Sequence, residues 1–130
     1  MKFTVNDAIN LYQILSGCQI NTISNQDART KMLKNGVKIL GVVKEFESSR
    51  DKVMKDNQGK ADKDSLFAKA IEELLKEDVD TEQFVKMTPE ELESLVPSIP
   101  NYTIGMYAIF EELFGEHTEE TETEQPNKSL

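Results

Sequence analysis

The sequence predicts a mainly α protein: a compact bundle of about five helices around one long central helix, leaving room for one short extended segment. Three observations predict it. Apolar residues recur at helical spacing in successive segments, helix-start and helix-stop residues bracket those segments, and the chain ends in a stretch with almost no aliphatic residues. At 130 residues the chain is long enough for one domain, and a domain of this size buries roughly two thirds of its unfolded surface without disulfides or structural metal. Residues 1–115 form that domain, and 116–130 read as a disordered acidic tail.

The first helix lies within Thr4–Gly17, because Val5, Ala8, Leu11, Tyr12 and Leu15 share one face. Thr4 or Asn6 caps its start, and Gly17 is placed to end it in the left-handed conformation. A polar connection follows from Cys18 to Ser24, with Ile20 and Ile23 beneath it. The central helix runs from about Gln26 to Met54: Met32, Leu33, Gly36, Ile39, Leu40, Val43, Phe46 and Met54 converge when plotted at about 100° per residue. Gly36 falls inside this stripe, where glycine costs about 1 kcal/mol relative to alanine. A close crossing by another helix is the favoured reason, with a kink as the alternative. Gly41 lies on the other side and allows a bend.

Lys55 to Lys63 is a charged, glycine-containing loop. A third helix starts near Ser65, with Leu66, Phe67, Ala70, Ile71, Leu74 and Leu75 on one face and Lys69, Glu72, Glu73 and Lys76 on the other. Between Asp78 and Met87 the alternation of Val79, Thr81, Gln83 and Val85 is compatible with the extended segment. Thr88-Pro-Glu-Glu then starts a short helix, with Thr88 as N-cap, Pro89 at the first helical position and Glu91 closing a capping box. Val96-Pro-Ser-Ile-Pro100 stops it. Asn101 is available to cap a final helix bearing Tyr102, Met106, Ile109, Phe110, Leu113 and Phe114, which Gly115 ends.

Composition narrows the chemistry. The net charge of −9 hides a polarity: residues 1–63 carry 11 basic and 7 acidic side chains (+4), and residues 64–130 carry 4 and 17 (−13). Cys18 is the sole cysteine, which fits a reducing, cytosolic setting. No window approaches the ~20 apolar residues of a membrane span, and the N-terminus, polar already at Asn6 and Asp7, does not read as a signal peptide. Zinc needs several Cys or His ligands, and the chain has Cys18 and His117 alone. A calcium loop counted back from Gly59 begins at Met54, which is no ligand. Gly59-Lys60 lacks the remaining residues of a phosphate-binding loop. Nucleophilic catalysis has no base, since His117 lies in the tail. The paired carboxylates at Glu72/Glu73, Glu90/Glu91/Glu93 and Glu111/Glu112 fall on solvated helix faces or at a helix N-terminus, where negative charge is favourable. The expected protein is therefore not an enzyme and has no cofactor, metal or small-molecule substrate.

Two surfaces remain for partners. The final helix carries apolar residues over more than half its circumference, so Tyr102, Met106, Tyr107, Phe110 and Phe114 are expected to meet a second copy or another protein, of phage or host. Lys31, Lys34, Lys38 and Lys52 cluster on the side of the central helix away from its apolar stripe, which offers nucleic-acid contact as the runner-up. A third reading has residues 111–124 imitate a phosphate backbone and inhibit a host nucleic-acid-binding protein.

The order of segments also resembles a family of small bacteriophage and prophage proteins of unknown function. The likeness runs over about residues 2–96: a short helix with a Leu-Tyr pair at Asn10-Leu-Tyr12, a long helix ending in Phe46-Glu-Ser-Ser-Arg50, a polar loop, a Phe-containing helix from Phe67 to Leu75, the Val79-Asp80 stretch, and a short helix at Thr88 to Leu92. The sequence departs after Pro97, where the aromatic helix and acidic tail are additional, and its Val79–Met87 stretch is less β-like than the family's. The resemblance implies a phage or prophage origin, an accessory or morphogenetic role in the host cytoplasm or on the virion, and no catalytic residue.

Overall fold

The computed structural model describes residues 2–116. Five helices carry the fold: α1 (Val5–Leu15), α2 (Gln26–Asp56), α3 (Lys63–Leu75), α4 (Pro89–Glu93) and α5 (Ile104–Phe114). Single 3-10 turns at Ile20–Thr22, Thr81–Gln83 and Val96–Ser98 link them, and no strand forms among the described residues. The acidic stretch expected to be disordered lies, from residue 117 on, outside the described residues.

Local chemistry sets the helix starts. Thr4 and Asp7 form a full capping box, the Thr4 hydroxyl accepting from the Asp7 N–H at 3.2 Å and the Asp7 carboxylate accepting from the Thr4 N–H at 3.0 Å. The Asn25 side chain caps α2 by accepting from the Ala28 N–H at 3.0 Å. Thr88, Pro89 and Glu91 start α4 as the sequence predicts, with both hydrogen bonds of the box in place. Two end signals differ from expectation. Gly17 is not left-handed: α1 closes at Ser16 in the right-handed region, and the Ser16 hydroxyl donates to the Gln13 carbonyl at 2.8 Å. Asn101 does not cap α5 either, since it takes a turn conformation at φ 56° and Thr103 caps instead, accepting from the Met106 N–H at 3.1 Å. The chain leaving Pro100 must reverse before it can enter the helix, and asparagine tolerates that positive φ better than most residues.

The core forms where α1, the first half of α2, the 84–99 segment and α5 meet. Ala8 and Leu11 from α1, Ala28, Met32 and Ile39 from α2, and Phe84, Met87, Leu92, Leu95 and Ile99 pack with Phe110, Leu113 and Phe114 of α5. At 31 residues α2 is about 46 Å long, roughly three times the length of α1. Its second half therefore outruns that core and is covered mainly by α3, which has no fully buried residue. The 78–87 stretch is not a strand but is pinned at both ends. Near its start the Val79 N–H donates to the Phe3 carbonyl at 2.8 Å and the Val5 N–H to the Glu77 carbonyl at 2.9 Å. At its end the Met87 N–H donates to the Phe114 carbonyl at 2.6 Å, and the Glu116 N–H returns to the Met87 carbonyl at 3.2 Å.

The glycines separate into two kinds. Gly115 is required: a Cβ there would collide with the Glu111 carbonyl oxygen as the chain turns out of α5. Gly36 is not at a helix crossing, contrary to the favoured expectation, because a Cβ there would meet nothing within 4 Å.

Candidate interaction surfaces

The lysine face of α2 turns out to be partly structural. Chain 83–91 runs along it. The Lys31 ammonium donates to both oxygens of Glu91, at 2.8 and 3.0 Å, and the Lys38 ammonium donates to the Gln83 carbonyl at 2.7 Å. Between them Asn35 is fully buried and pairs with both backbone groups of Val85, donating to the carbonyl at 3.0 Å and accepting from the N–H at 2.7 Å. A single amide side chain thus replaces the neighbouring strand that Val85 lacks. Burial alone would raise the Glu91 carboxyl, but the hydrogen bonds from Lys31 and Thr88 outweigh it and hold the group below the ordinary carboxylate value. Of the four lysines expected to meet nucleic acid, Lys31 and Lys38 are therefore engaged within the chain, and only Lys34 and Lys52 are exposed. Helical periodicity identified a polar face, but not that another part of the same chain needs it.

The aromatic residues of α5 also divide. Phe110 and Phe114 have no exposed surface. Their rings stack at 5.9 Å, Phe84 stands edge-on to Phe114 at 5.4 Å, and Tyr102 stands edge-on to Phe110 at 5.9 Å. Phe110 and Phe114 are thus core residues, a correction to the expected partner-facing set. Tyr102, Met106 and Tyr107 are half-buried around them. The Tyr102 hydroxyl has no hydrogen-bond partner, and burial, with Tyr107 and Cys18 nearby, pushes its pKa up to about 12. With its aromatic arc turned inward, α5 presents Ile104, Gly105, Ala108 and Ile109 outward, followed by Glu111 and Glu112. Ile104 is 90 % exposed, the most exposed of the large apolar side chains.

The broadest apolar exposure lies elsewhere, between α1 and α2. Tyr12 and Leu15, with Ile20 just beyond α1, face Leu33, Gly36, Val37 and Leu40 across a groove of about 190 Å³. Leu33 is 51 % exposed and Val37 68 %, on adjacent turns of α2, and the empty space over Gly36 forms part of the floor. Arg29, Lys34 and Lys44 lie within two turns of helix on either side, all basic. Periodicity had assigned Leu33, Gly36 and Leu40 to the core. The apolar arc of α2 is wider than the single short helix α1 can cover, and that excess is the surface. A second hollow, at the turn between α2 and α3, is bordered by Met54 and Phe67 with Asp51, Lys55, Lys63 and Asp64.

Among the described residues no three His, Cys, Asp or Glu side chains are grouped as metal ligands, and no helix is long and apolar enough to cross a membrane. The Cys18 thiol donates to the Ser98 hydroxyl at 3.4 Å, and burial raises its pKa. No protein-family model matches the chain, and neither a curated protein nor a solved structure was found to be similar to it.

Proposed function

We propose that this protein is a non-catalytic interaction module that associates with copies of itself or with another protein through the groove between α1 and α2. The observation that carries the reading is the exposure of Leu33 and Val37 on one continuous apolar surface with Gly36 open between them. Burying one such side chain fully is worth about 1.5–3 kcal/mol, so a surface that leaves two of them in water favours a contact that covers them. Gly36 adds to this, because a helix-interior glycine that packs against nothing in its own chain leaves room for an incoming side chain. The non-catalytic part rests on the lack of a base near Cys18 and on the direction of its thiol shift, which is opposite to that of an activated nucleophile. The phage accessory or morphogenetic role, in the host cytoplasm or on the virion, rests on the resemblance of residues 2–96.

Nucleic-acid binding through the lysines of α2 has less to draw on, since two of the four lysines hold the 83–91 segment. Sedimentation velocity over a wide concentration range tests the main reading. Leu33→Asp and Val37→Asp are expected to remove association while leaving helix content unchanged. Association that survives both substitutions would overturn it.

A further inference from the structure

Two apolar side chains stand out from the surface more than any others among the described residues: Val37 on α2, 68 % exposed, and Ile104 on α5, 90 % exposed. They sit in opposite electrostatic settings. Val37 belongs to the half of the chain with charge +4 and is bracketed along α2 by Lys34 and Lys44, both exposed and in no ion pair among the described residues. Ile104 belongs to the half with charge −13, and its face of α5 continues through Ala108 to Glu112. The groove beside Val37 is concave, with Gly36 in its floor, whereas the outward face of α5 is a convex ridge of Ile104, Ala108 and Ile109. One is a basic-rimmed apolar hollow and the other an acidic-ended apolar ridge.

Resting on the interaction reading above, we propose that the occupant of the α1–α2 groove is the outward face of α5 from a second copy of this chain. The Ile104–Ala108–Ile109 ridge seats against Leu33, Val37 and Leu40, and Glu112 lies toward Lys34 or Lys44. A two-fold pairing of groove with groove would set Lys34, Lys44 and Arg29 of one copy against the same basic residues of the other, which like-charge repulsion disfavours. Ridge into groove joins opposite charges. Because the two surfaces are different patches, the contact is heterologous: each copy keeps one unused groove and one unused ridge, so assembly continues into a ring or an open chain.

Mixing two variants of the full chain tests this. Val37→Asp spoils the groove and keeps the ridge, while Ile104→Asp spoils the ridge and keeps the groove; both positions are exposed, and circular dichroism confirms retained helicity. The wild-type protein is expected to form species larger than a dimer as concentration rises. Each variant alone should associate at least about tenfold more weakly. An equimolar mixture should form a 1:1 dimer and nothing larger, since only one intact groove and one intact ridge can meet. A charge exchange adds a second readout: Glu112→Lys weakens assembly, and Lys34→Glu with Lys44→Glu in the other copy restores it. If the mixture stays monomeric while each variant is impaired, or if Ile104→Asp assembles like wild type, α5 is not the occupant and the groove reading survives alone. If Val37→Asp also assembles like wild type, the groove reading falls with it. A wild-type protein that is monomeric at every concentration overturns self-occupancy.

Discussion

Replacing Asn35 by alanine removes the one side chain that ties the 84–86 segment to α2. The amide is fully buried and makes two hydrogen bonds to Val85, at 3.0 and 2.7 Å. Each such bond is worth about 1–1.5 kcal/mol net, and a buried backbone group left without a partner costs somewhat more. Val85 is half-buried, so water can reach part of the vacated site and limit the loss. Two bonds therefore give about 2–3 kcal/mol of destabilisation. At about 4 °C per kcal/mol for a domain of this size, the thermal midpoint falls by roughly 8–12 °C. Thermal and urea unfolding followed by far-ultraviolet circular dichroism measure it. Asn35→Leu serves as a control, because it fills the volume but still orphans both groups of Val85, and it is expected to fall by a similar amount. A shift below about 2 °C for Asn35→Ala, or near-wild-type stability for Asn35→Leu, would refute the claim that paired hydrogen bonds, rather than packing volume, hold this segment.

Glu91 carries a pH signature. A carboxyl held below its ordinary value of 4.5 adds stability that is fully present above that pH and is lost as pH falls through the lower folded-state value. Wild type should therefore lose stability below pH 4.5 more steeply than Glu91→Gln, and parallel urea midpoints for the two proteins across that window would count against the Lys31–Glu91 pairing. Gly36→Ala should stabilise the monomer by up to about 1 kcal/mol, since a Cβ there meets nothing and the helix gains propensity; a lower thermal midpoint would contradict the open geometry. Gly115→Ala should destabilise, because its Cβ runs into the Glu111 carbonyl, and unchanged unfolding would show that the turn relaxes freely. Phe110→Ala should cost about 3–5 kcal/mol, as for other fully buried aromatic side chains. If it instead dissociates an assembly with little change in the urea midpoint, the residue belongs to an interface and not to the core.

Much of the fold was legible in the residues. Thr88-Pro-Glu-Glu announced α4, and the stripes of α1, α2 and α3 announced their helices, because caps and 3.6-residue periodicity act within a few residues of chain. The same locality explains the failures. Asn101 and Thr103 are both good caps, and choosing between them depends on where the chain must turn after Pro100. Gly36 inside an apolar stripe reads equally as a crossing or as open floor until the neighbouring helix is placed.

By itself, then, the sequence determined five helices, most of their starts, and a chain divided into a basic and an acidic half. Only the tertiary structure decided which side of each helix is used. Phe110 and Phe114 went to the core because Phe84, arriving from the 84–87 segment, offers them aromatic edges. Lys31, Asn35 and Lys38 were drawn into the fold because that same segment brings unpaired backbone groups and a carboxylate that need partners. Leu33 and Val37 were left in water because α1, at 11 residues, covers only part of the apolar arc of a 31-residue helix. An apolar arc shows that a residue can be buried. Whether it is buried depends on the length and path of the neighbouring chain, which is a non-local property.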